Sequence, residues 1–82
     1  MYKIDISKRA LKFIVKQPKP KQELLLRAIS QLPKGDIKPL KGHKGVYRLR
    51  VDDFRIIYTI DNGQLLICVI DAGNRGQIYK RY

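Results

Sequence analysis

Asn62-Gly63 stands between two apolar segments, residues 54–60 and 65–71. A two-residue type I′ turn needs positive φ at both central positions, and Asn-Gly is a pair well suited to it. The flanks are rich in β-branched and aromatic residues, so the stretch predicts a hairpin. Residues 46–51 read as another strand just ahead of it, with Asp52-Asp53 as a two-residue turn. The last segment is apolar at both parities, with Leu65, Ile67 and Val69 on one side and Leu66, Cys68 and Ile70 on the other. Such a strand belongs in the middle of a sheet, covered at least in part on both faces.

The N-terminal half has a different period. Tyr2, Ile4 and Ile6 alternate with Lys3 and Asp5, as in a short strand. Ser7 is placed to cap the helix that follows, whose apolar positions are Ala10, Leu11, Ile14 and Val15. "QPKPK" ends that helix, because proline can neither donate its backbone N–H nor continue the turn. Pro20 suits the first turn of a second helix, which carries Leu24, Leu25, Ala28, Ile29 and Leu32. "PKGDIKPLKGHKG", residues 33–45, reads as a long loop. The expected order is β-α-α-β-β-β, an α+β fold with a helical hairpin packed on one face of a mainly antiparallel sheet. With 82 residues and no internal repeat, residues 1–82 are read as a single domain.

Composition narrows the classes of function. The longest apolar run, residues 65–70, is far short of the ~20 residues that span a bilayer. The first ten residues lack the pattern of a signal peptide, and the one cysteine, Cys68, reads as a core thiol. A cytoplasmic protein with no membrane partner is the expectation. Eighteen Lys and Arg against seven Asp and Glu give a net charge of +11. That field draws polyanions, with nucleic acid and ribosomes first and an acidic protein second. Lys8, Lys12, Lys16 and Lys21 read as solvated helix faces. The single histidine, His43, excludes a ribonuclease built on two histidines. No Cys/His set suits zinc, no strand carboxylates suit magnesium, and "GHKG" is too short for a phosphate-binding Walker loop. No cofactor is expected.

Arginines inside strands need another explanation. With Asp52-Asp53 as a tight turn, Val51 faces Phe54, Leu49 faces Ile56 and Tyr47 faces Tyr58. The other side then sets Arg50 opposite Arg55, and Arg48 opposite Ile57. Like charges set directly opposite are destabilising. With Asn62-Gly63 as the next turn, Phe54 faces Asp71. The ending "AGNRGQIYKRY" then brings Arg75, and with it Tyr79, toward the same place. One reading is ordinary surface ion pairing with Asp52, Asp53 or Asp71. The other is an anion site, since the guanidinium fork matches phosphate and tyrosine can stack on a base.

The element order, "LKG", "YRLRV", "DDFRIIYTI" and the ending "VIDAGNRGQIY" together resemble the RelE/ParE toxin superfamily. Its most specific elements here are "FRIIY" and "GNRGQIY", and the likeness covers essentially the whole chain. The resemblance implies a toxin restrained by a cognate antitoxin that wraps the helices and the sheet edge. RelE-type members cut mRNA in the ribosomal A site. ParE-type members poison DNA gyrase and lack the basic-plus-tyrosine set. The RelE-type positions fall on Arg48, Arg50, Arg55, Arg75 and Tyr79, with Tyr82 as a second candidate tyrosine. The implied reaction is attack of an mRNA 2′-OH on its own 3′ phosphate without metal. Arg48 and Arg55 would stabilise the phosphate, Arg75 would sit at the leaving oxygen, and Tyr79 would orient the nucleotide. Arg50 stands where the family often has lysine, and arginine is a poor general base. Lys38, Lys41 and Lys44 would touch ribosomal RNA, and the free toxin would be a monomer. A gyrase inhibitor without nuclease activity, and a non-catalytic RNA- or ribosome-binding protein, are the alternatives.

Overall fold

The computed structural model describes residues 1–82. In chain order the elements are β1 (Lys3–Ile6), α1 (Lys8–Val15), α2 (Lys19–Ser30), β2 (Asp36–Pro39), β3 (Val46–Val51), β4 (Phe54–Asp61), β5 (Leu66–Asn74) and α3 (Arg75–Ile78). The strands form one sheet in the order β1-β5-β4-β3-β2. Only the β1–β5 pair is parallel. β5 lies inside the sheet, as its two-sided apolar pattern predicts.

Two elements were not expected. β2 forms within residues 33–45, which read as loop, and pairs with β3 from Asp36↔Arg50 to Pro39↔Tyr47. It is an edge strand, where Pro39 costs no ladder bond. Gly35 makes the approach to it feasible. Its φ is +131°, and a Cβ there would come 2.8 Å from Leu49 Cδ1. The second addition, α3, is a single turn that follows β5 directly.

The main core lies between the helical hairpin and one sheet face. Ser7 Oγ accepts from Ala10 N at 3.1 Å and donates to Ile70 O at 2.9 Å, tying the start of α1 to β5. Ala10, Ile14, Leu25, Ile29 and Leu32 pack with Leu49, Val51, Phe54, Ile56, Tyr58, Ile67, Val69 and Ala72. The apolar stripes are narrower than the sequence suggests. Leu11, Val15 and Leu24 are exposed, as is Leu26. A helix resting on a sheet buries one stripe, and these four leucine and valine positions turn away from it. A smaller cluster on the opposite sheet face joins Leu40, Ile57 and Ile78, with Val46, Ile70 and Tyr82 against it.

The β3–β4 register is the expected one, from Val51↔Phe54 to Tyr47↔Tyr58. The β4–β5 register is not. Phe54 faces Asn74 rather than Asp71, and Asp61 faces Leu66. The connection is a four-residue loop, residues 62–65, in place of a two-residue Asn-Gly turn. Asp61 Oδ1 accepts from Gly63 N at 3.0 Å and Gln64 N at 3.2 Å, and Leu65 takes the left-handed position at φ 53°. This local carboxylate bonding competes with the tighter turn. A bulge then opens between Ile57↔Asp71 and Tyr58↔Val69, leaving Ile70 as the extra residue. The bulge inverts parity, so Ala72 joins Ile67 and Val69 on the helix side. Cys68, expected in the core, is only half-buried, on β5 beside Asp5 and Thr59.

Tyr58 is fully buried, and its hydroxyl has no hydrogen-bond partner. Burial, with Tyr47 stacked 5.7 Å away, pushes its pKa up to about 12. An orphaned buried hydroxyl costs roughly 1–3 kcal/mol. Tyr58→Phe is expected to raise stability by about 1 kcal/mol, read as a higher urea midpoint at unchanged slope. No helix is long and apolar enough to cross a membrane.

Candidate nucleic-acid site

The site lies on the sheet face away from α1 and α2. β3 supplies Arg48 and Arg50, and β4 supplies Arg55 directly opposite Arg50. Arg48 faces Ile57, which is buried beneath Ile78 of α3. Arg55 faces Gly73 on its other side, so the arginine pair continues onto β5. Arg75 opens α3, and its backbone N donates to Asp53 O at 2.8 Å. That bond seats Arg75 beside the β3–β4 turn, next to the Arg50↔Arg55 pair.

These arginines are not equivalent. Arg55 is only 8% exposed, and its Nη1 donates to Asp52 O at 3.1 Å and Phe54 O at 2.9 Å. It braces the turn in which Asp52 holds φ 55°. Arg50 Nη2 lies 2.6 Å from Asp36 Oδ2, and Arg48 Nη1 lies 3.6 Å from Asp36 Oδ1. Asp36 is therefore the counter-charge of the β3 pair. The sequence had offered Asp52, Asp53 or Asp71 for that part. Asp52 instead takes Lys21 Nζ at 2.8 Å, which links α2 to the turn. The Lys21 hydrogen bond and charge hold Asp52 below the usual carboxylate range, and Lys21 is raised in return. Asp71 is occupied by Arg81 and Tyr82.

Lys38 lies on β2 opposite Arg48. Lys41 and Lys44 are exposed in the turn closed by Leu40 N donating to Val46 O at 2.8 Å. Tyr79 caps α3 and is 44% exposed, leaving its ring available. Tyr82 is committed elsewhere. Its hydroxyl donates to Asp71 Oδ2 at 3.0 Å, and its ring meets His43 edge-on at 5.6 Å. Burial and then the Asp71 contact raise its pKa. Sequence reasoning missed Asp36, whose only signal was a lone acid in a lysine-rich segment, and missed the Asp71–Arg81 pair.

A helical hairpin on one face of this sheet, with arginines on the other, defines a RelE-like toxin fold. The chain belongs to the ParE toxin family of type II toxin–antitoxin systems, whose sequence pattern residues 4–79 match. It is the toxin component of such a system. No curated protein sequence matches it. An archaeal RelE–RelB complex from Pyrococcus horikoshii is similar at 25% identity, covering 93% of this chain and 97% of that one, with TM-score 0.76. A RelB–RelE complex from Methanococcus jannaschii is similar at 22% identity, over 95% and 98%, with TM-score 0.75. The Escherichia coli RelBE complex follows at 22%, over 90% and 96%, with TM-score 0.73.

Proposed function

We propose that this toxin is a ribosome-dependent, metal-independent endoribonuclease that cuts mRNA in the A site. The observation that carries the reading is the juxtaposition of Arg48, Arg50 and Arg55 on one sheet face, with Arg75 seated beside their turn. The 2′-OH attacks the adjacent phosphorus, and the bond to the 5′-oxygen of the next nucleotide breaks. The products are a 2′,3′-cyclic phosphate and a 5′-OH. Charge grows on the phosphate oxygens and the leaving oxygen, where fixed cations act most strongly. Arg48 and Arg55 serve the phosphate, Arg75 the leaving oxygen, and Tyr79 orients the nucleotide by stacking. Arg50 contributes charge, while ribosome or substrate supplies the base. Lys38, Lys41 and Lys44 meet ribosomal RNA.

The protein acts in the cytoplasm and is restrained by a cognate antitoxin, as the RelE chains in the similar complexes are paired with RelB. Exposed Leu11, Val15 and Leu26 on a helical hairpin with a single acid, Glu23, suit an acidic amphipathic segment of that antitoxin. The free toxin is a monomer in this reading.

Asp36→Asn removes the counter-charge of Arg48 and Arg50. Affinity for ribosomes is expected to rise, and the salt slope of binding to steepen by about one ion. The ends of RNA recovered from arrested cells test the reaction itself. Cyclic phosphate and 5′-OH ends support it, and 3′-OH with 5′-phosphate ends overturn it. The ParE match favours one second reading, inhibition of DNA gyrase without nuclease activity. Loss of gyrase supercoiling with intact mRNA would select it.

A further inference from the structure

Asp71 is fully buried yet carries a carboxylate, and the proposed chemistry makes no use of it. Arg81 grips it with a two-point fork, Nε to Oδ2 at 3.0 Å and Nη2 to Oδ1 at 3.1 Å. Tyr82 OH adds a bond to Oδ2 at 3.0 Å, and Ala72 N one to Oδ1 at 2.9 Å. Arg9 of α1 stands 3.8 Å away. Lys8, Lys12 and Lys16 line the same cleft, so the acid is also the focus of a basic surround. Charge-assisted forks of this kind fix orientation as well as position.

The segment so held is the one that carries Tyr79. Ile78, just before it, is fully buried in the smaller cluster. Arg81, two residues after it, is clamped to Asp71, and Arg81 N donates to Ile78 O at 3.1 Å. Gly73 leaves room for this return. A Cβ there would lie 3.2 Å from Ile78 Cδ1 and 3.5 Å from Arg81 Nη2. Gly73 is also the residue facing Arg55. The tail therefore folds back over the strand position that borders the arginine pair.

We propose that Asp71 is a positioning residue, which through Arg81 fixes the segment after α3 so that Tyr79 is presented beside the arginine face. The inference rests on the nuclease reading for its kinetic consequence, and on geometry alone for the placement of Tyr79. Without the fork, Ile78 still anchors α3 and Tyr82 still bonds Asp71, but Arg81 no longer fixes the path of the chain between them, where Tyr79 lies. Tyr79 then samples orientations in which stacking on a nucleotide is out of line. Misplacement of about 1 Å at a reacting centre can cost as much as ~10²-fold in rate.

The test uses the full chain with Arg81→Gln, Arg81→Lys and Asp71→Asn. The last keeps the side-chain shape and serves if the first does not fold. Circular dichroism and melting establish the folded fraction. Single-turnover cleavage on programmed ribosomes and ribosome affinity are measured in parallel, and ring-labelled tyrosine NMR reads Tyr79 and Tyr82 directly. Arg81→Gln is expected to slow cleavage by ~10- to 10²-fold at unchanged ribosome affinity, and to move the Tyr79 ring shifts toward those of free tyrosine. Arg81→Lys, with charge but no fork, is expected to recover part of the rate. A rate loss that merely follows the folded fraction, or an unchanged rate in a folded variant, overturns the proposal. If the unaltered protein does not cut, the nuclease reading fails. The NMR arm then decides the placement of Tyr79: ring shifts that move toward free-tyrosine values in the variants uphold it, and unchanged Tyr79 signals overturn it.

Discussion

Arg75→Ala is expected to lower single-turnover mRNA cleavage by about 10²–10³-fold, the usual cost of removing one fixed donor from developing charge. Its melting temperature should stay close to that of the unaltered protein. Arg75 is exposed, and the bond that seats it uses its backbone N, which alanine retains. Arg55→Ala makes the contrast. Its guanidinium is buried and bonded to Asp52 O and Phe54 O, so truncation removes a brace of the turn along with a cation. Activity and stability should fall together there. Measuring both variants by the same ribosome assay and the same melt separates chemistry from scaffold. A fully active Arg75→Ala would remove the leaving-oxygen role.

The second large effect concerns the scaffold. Ile56 is fully buried on β4, between Leu49 of β3 and Ala72 of β5, in the cluster that both long helices cover. Ile56→Ala is expected to cost about 2–5 kcal/mol, because the removed methyl groups leave a cavity that a close-packed sheet fills poorly. Domains as a class hold only about 5–15 kcal/mol, so the variant should lose a large share of its stability. Urea unfolding followed by circular dichroism checks this, and a midpoint unchanged by the substitution would contradict the packing described.

The parts of the fold legible in the sequence were those set by local patterns. Ser7, Pro20 and the two-sided β5 signalled helix starts and a central strand, and each lies where its chemistry placed it. The β3–β4 register followed from a two-residue turn, although Asp-Asp is not the pair such a turn prefers. What could not be read depended on long-range partners. Asn62-Gly63 pointed to a tight turn, but Asp61 bonded its own loop, and the bulge at Ile70 shifted the register further. Apolar residues at both parities of β5 signalled burial on two faces, and the same pattern concealed the bulge. β2 was hidden by Pro39 and Lys38, because an edge strand needs few apolar residues and tolerates a missing donor.

The arginine site was legible for the same reason as the hairpin. Arg48, Arg50 and Arg55 are placed by one register, and strand alternation does the rest. Arg75 reached the turn by a different route from the one expected. With Phe54 opposite Asn74, β5 runs alongside the whole of β4, so Arg75 arrives at Asp53 itself. Asp36 and the Asp71–Arg81 fork were invisible, since each joins segments whose contact only the folded sheet creates.

One measurement reaches the reaction itself. Purified toxin is added to ribosomes carrying a defined mRNA with tRNA in the P site, and cuts are mapped by primer extension, with the same mRNA free of ribosomes alongside. The toxin is expected to leave a cut inside the A-site codon that disappears without ribosomes. Intact mRNA on ribosomes that the toxin still occupies would contradict it, and would leave a toxin of the same fold that acts by binding alone.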